Sequence, residues 1–64
     1  MSKTLAAEIA DRTLTVVNPQ NRTLALNAAL RRHGISPVST PSPDQLLDRA
    51  ALIGWLTATY APRE

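Results

Sequence analysis

The sequence predicts an all-α fold: a small three-helix domain with helices at about 3–17, 19–33 and 43–60. Three observations predict it. Apolar residues recur at three- and four-residue spacings in each segment. The pairs Asn18-Pro19 and Ser42-Pro43 each place a capping side chain before a proline that suits the first helical position. Gly34 stands where a left-handed stop residue belongs.

In the first segment, a helical wheel puts Leu5, Ala6, Ile9, Ala10, Thr13, Leu14, Val16 and Val17 on one half. Ala7, Glu8, Asp11, Arg12 and Thr15 fall on the other, where Glu8 and Arg12 form a supporting pair one turn apart. A second reading stops this helix near Arg12, makes Thr13 to Val17 a strand, turns through Asn18-Pro19-Gln20-Asn21 and returns along Arg22 to Leu26. That gives an α+β alternative: a helix, a β-hairpin at 13–26 and two C-terminal helices. The β-branched residues Thr13, Thr15, Val16, Val17 and Thr23 support it, whereas Ala25, Ala28 and Ala29 favour a helix running on to Gly34.

The second helix carries an apolar stripe of Leu26, Ala29 and Leu30 with Thr23, and Arg31 and Arg32 stand near its negative end. Pro37 and Pro41 with neighbouring Ser and Thr residues make 34–42 a connecting loop, which Ile35 and Val38 are expected to pin to the core. For the third helix, Ser42 is the expected cap, Pro43 the first residue and Asp44 a favourable first-turn acid. Leu46, Leu47, Ala50, Ile53, Leu56 and Tyr60 follow at helical spacing, and Pro62 limits extension.

With 64 residues there is room for a single domain, 1–64, with a thin core. Small domains commonly gain stability from disulfides, a metal or association. This chain has no cysteine and a single histidine, His33, so association with a second copy or a partner protein is expected. Glu8 and Asp11 interrupt any signal-like apolar run after Lys3, and the longest uncharged apolar run, 50–56, is far below the roughly 20 residues that span a bilayer. A cytoplasmic protein with no membrane partner is expected.

Catalysis finds little support. His33 sits at a predicted helix end beside two arginines, and neither Glu8 with Asp11 nor Asp44 with Asp48 faces across a cleft. Metal ligation lacks paired His or Cys, and the two glycines, Gly34 and Gly54, are too far apart for a phosphate cradle. No enzyme activity, cofactor, metal or small-molecule substrate is expected.

The remaining signal is apolar. On a 43–60 helix, Leu52 and Trp55 point well away from the side that carries Leu46, Ile53, Leu56 and Tyr60. The first expectation is therefore a non-catalytic interaction module, an adaptor, regulator or accessory subunit, that docks through Leu52, Trp55, Leu56 and Ala51.

A second expectation follows from the net charge of +2, which concentrates as Lys3, Arg12, Arg22, Arg31 and Arg32 in the first half. A helix-turn-helix over Leu26 to Ser36 fails at Pro37 and Pro41, which would fall in its recognition helix. A dimeric DNA-binding ribbon-helix-helix stays open, with Thr13 to Val17 as ribbon and Arg12, Arg22, Arg31 and Arg32 as nucleic-acid contacts. The hairpin alternative resembles, by element order alone, the terminal docking domains of multienzyme assembly-line synthetases, which implies pairing of a partner peptide along a strand edge.

Overall fold

The computed structural model describes residues 1–60, and within them it is all-helical with no strand. Helix α1 spans Lys3–Leu14, α2 spans Arg22–Arg32 after a 3-10 turn at Pro19–Asn21, and α3 spans Arg49–Thr59.

Ser2 caps α1, its hydroxyl accepting from the Leu5 amide at 3.2 Å. Ala6, Ile9, Ala10 and Thr13 are buried at the i, i+3, i+4, i+7 spacing of one helical face. Thr13 can sit there because its hydroxyl donates to the Ile9 carbonyl at 2.9 Å, leaving no polar group unpaired. The helix stops three residues short of its expected end. Thr15 turns its hydroxyl onto the Arg12 carbonyl, and Pro19 pushes Asn18 into an extended conformation (φ −80°, ψ 114°). Val17, expected on the apolar half, is consequently 89% exposed.

The hairpin alternative is overturned. Thr13 and Leu14 are helical, and Arg22 to Leu26 form the start of α2. The Asn18 side chain accepts from the Gln20 amide at 3.0 Å, so the Asn-Pro pair opens a helical turn and not a strand reversal, but that turn is 3-10 and α2 begins at Arg22, three residues later than expected. At the other end of α2, Gly34 has φ 74°, its amide bonds the Arg31 carbonyl and the Ile35 amide bonds Leu30. This is a Schellman stop, and Ile35 completes it by packing on the core.

The third helix requires a correction: it begins at Arg49, not Pro43. Ser42 to Leu46 do form one helical turn, with Gln45 reaching back to the Ser42 amide at 2.9 Å, but the turn ends at Leu47. Asp48 is extended (φ −124°, ψ 121°) and caps α3 through the Ala50 amide. The reason lies in register. Leu46 precedes Leu52 by six residues and Leu56 by ten, so a continuous helix would turn Leu46 away from the buried Leu52/Leu56 stripe, whereas the break lets all three be buried. Pro62, the expected stop, lies outside the described residues; α3 ends with the Tyr60 amide on the Leu56 carbonyl.

α1 is the central helix, packed by both α2 and α3, which do not approach each other closely. Asp11 pairs with Arg49 and the Met1 amine donates to the Tyr60 carbonyl, which fixes α1 and α3 antiparallel. The core is Ala6, Ile9, Ala10, Leu26, Ala29, Leu30, Leu46, Leu52 and Leu56. No helix among the described residues is long and apolar enough to cross a membrane.

Candidate apolar groove

Two of the four residues of the expected docking face on α3 lie in the core of the folded chain. Leu52 and Leu56 are fully buried against the other helices, so neither can meet a partner without opening the core. Ala51 and Trp55 are half-buried, and Trp55 packs edge-on against Tyr60 with ring centroids 5.9 Å apart. The expected wheel went wrong because it counted Leu46 as a member of the helix. Without residues 43–48, the inward stripe of α3 is defined by Leu52 and Leu56.

The four arginines do not form one surface. Arg12 and Arg22 lie where α1 ends and α2 begins, whereas Arg31 and Arg32 lie at the opposite end of α2, about 14 Å along its axis from Arg22. Arg12, Arg31 and Arg32 are exposed, and Arg22 is half-buried. The Arg22 guanidinium acts as an internal fork: Nε donates to the Val16 carbonyl at 3.0 Å and Nη1 to the Leu46 carbonyl at 2.9 Å. The ribbon that a ribbon-helix-helix needs is also missing, since Thr13 is buried inside α1.

Glu8 and Arg12 form no ion pair; Asp11 reaches across to Arg49 instead, at 2.7 Å. That hydrogen bond, reinforced by charge attraction, raises the Arg49 pKa further above its ordinary value. His33 is an exposed helix C-cap, and no group of His, Asp or Glu among the described residues is arranged to hold a metal.

The structure instead brings together residues that no sequence motif flagged. Pro19 and Gln20 of the 3-10 turn and Thr23 of α2 face Thr40, Pro41, Pro43, Leu46 and Leu47 across an open groove of about 390 Å³. Three of the eight lining residues are prolines and none is charged. Each wall has a local cause. Asn18-Pro19 sets the first wall by opening the 3-10 turn that precedes α2. Pro41 is buried and anchors the second, Leu46 inserts into the core, and Leu47, next in the chain, is left 61% exposed at the groove. The Arg22 fork ties the walls together through the Leu46 carbonyl.

The connecting loop is also pinned differently from expectation. Ile35 packs on the core, but Val38 is 71% exposed, and it is the Val38 amide that anchors the loop by donating to the Tyr60 hydroxyl. The sequence signal for the groove was the recurrence of proline at 19, 41 and 43, which reads equally well as loop punctuation. No protein family, curated protein or solved structure matches this chain.

Proposed function

We propose that this chain is a non-catalytic protein-interaction module that seats an aliphatic or aromatic side chain of a partner protein in the groove between α2 and the 40–47 segment. The observation that carries this reading is a groove lined by apolar and uncharged side chains, with Leu47 exposed at it in the folded monomer. A large apolar side chain held in water is the usual raw material of a binding anchor. The adaptor, regulator or accessory-subunit role expected from the sequence is kept, and its contact surface moves from α3 to the groove. The thiol-free composition suits work in a reducing cytoplasm.

The test is selection of peptides from a displayed library on the immobilised chain, followed by titration of a selected peptide into isotope-labelled protein. Amide shifts confined to Thr23, Thr40, Leu46 and Leu47, abolished by Leu47→Asp, are the expected result. Peptides that shift only the Trp55 region, or a library that yields no binder, would defeat the proposal. Mass in solution across a concentration series shows whether a second copy fills the groove.

A further inference from the structure

The turn at 43–47 begins a helix that it does not complete. Its amides bond as a helical start does, Leu46 to the Ser42 and Pro43 carbonyls and Leu47 to that of Asp44. α3 begins just beyond it, and only the extended backbone of Asp48 separates the two pieces. In one continuous helix the Leu46 carbonyl would accept from the Ala50 amide. Here both groups have other partners. Arg22 Nη1 takes the carbonyl at 2.9 Å, and Asp48 Oδ1 takes the amide at 3.0 Å. Two side-chain hydrogen bonds thus stand in for one backbone bond, and one of them comes from a residue 24 positions away.

We infer that residues 43–48 are a helical extension of α3 held folded back by Arg22, and that the groove exists only in the folded-back form. Pro43, Leu46 and Leu47 belong to this segment and make up much of one wall. Straightening the chain at Asp48 carries that wall away from Pro19, Gln20 and Thr23. Leu46 opposes straightening because it is buried in the core, and Arg22 opposes it by holding the carbonyl. The opposite pull comes from the Ser42-Gln45 cap, which favours the helix wherever its axis points. The inference rests on the docking reading for its consequence alone: a peptide in the groove favours the folded-back form, because it binds that form and not the straight one.

Arg22→Met keeps the apolar stem and removes every donor. Backbone carbon chemical shifts should become helical from Asp44 through Asp48 in this variant, with α1 and α2 unchanged. Affinity for the selected peptide should fall about tenfold, as expected when the binding-competent form drops to about a tenth of the population. Shifts at 46–48 that keep wild-type values, or that move to coil values, overturn the inference. If Arg22→Met does not fold, Asp48→Ala removes the competing acceptor and supplies the strongest helix former. Helical shifts at 46–48 are then expected, and a persistent break overturns the inference. Failure of the docking reading is distinguishable, since it appears as a wild-type chain that selects no peptide while the shifts still report the helix.

Discussion

Arg22 and Leu46, 24 residues apart, are joined by a guanidinium-to-carbonyl hydrogen bond of 2.9 Å, and the same guanidinium holds Val16 at 3.0 Å. One side chain therefore ties the α1–α2 connection to the segment preceding α3. Hydrogen bonds to charged groups contribute roughly 1.5–3 kcal/mol, and partial exposure moderates that. Arg22→Ala should cost about 2 kcal/mol in urea unfolding. Arg22→Lys should not restore it, because a single ammonium cannot reproduce the planar fork. A lysine variant as stable as wild type would show that charge alone suffices.

Gly34 makes a narrower prediction. Its φ of 74° lies in the left-handed region, and a Cβ there would meet no atom within 4 Å. Gly34→Ala should therefore cost about 1 kcal/mol through backbone strain alone. Gly34→Asn should cost less, since asparagine tolerates this conformation. Thermal melts of the two variants check the order; an alanine variant that melts with wild type would remove the left-handed stop from the account of α2.

The inward stripe of α3 is testable by contrast. Leu52→Ala empties a fully buried site and should cost about 3 kcal/mol, enough to unfold much of a domain this small. Leu24→Ala, at a position 70% exposed, should stay within about 0.5 kcal/mol. Equal effects, measured by circular dichroism in urea, would contradict the assignment of the inward stripe.

Asp11 and Arg49 are more than half exposed, so their 2.7 Å pair lies in water and under salt screening. Asp11→Asn should lower the melting temperature slightly in dilute buffer and not at all in high salt. The folded-state pKa of Arg49 is raised, so its contribution is fully present below the unfolded value and is lost only as pH climbs past the ordinary arginine range. Arg49 should therefore add no slope to a stability profile measured near neutral pH. A loss from Asp11→Asn that persists in high salt would mean that Asp11 does more than pair with Arg49.

Much of the helical framework was legible in local signals. Asn18-Pro19 opened the 3-10 turn that leads into the second helix and Gly34 closed that helix, because capping and left-handed stops involve residues within one turn of each other. Ser42-Pro43 carried a similar signal and did produce a turn, yet a single turn satisfied it. What ended that turn was not local. Leu46 joins Leu52 and Leu56 in the core only with the chain broken at Asp48, and Arg22, 24 residues away, holds the carbonyl that a longer helix would use.

Taken alone, the order of residues determined that three helices form and, nearly to the residue, where the second one stops. Tertiary structure decided which helix is central, which side of α3 is buried, where α3 begins, and that prolines distant in sequence line one groove. The physical reason is range: caps, stops and periodicity act over three or four residues, whereas the choice among competing apolar faces depends on which surfaces distant segments cover, and on one arginine that spans them.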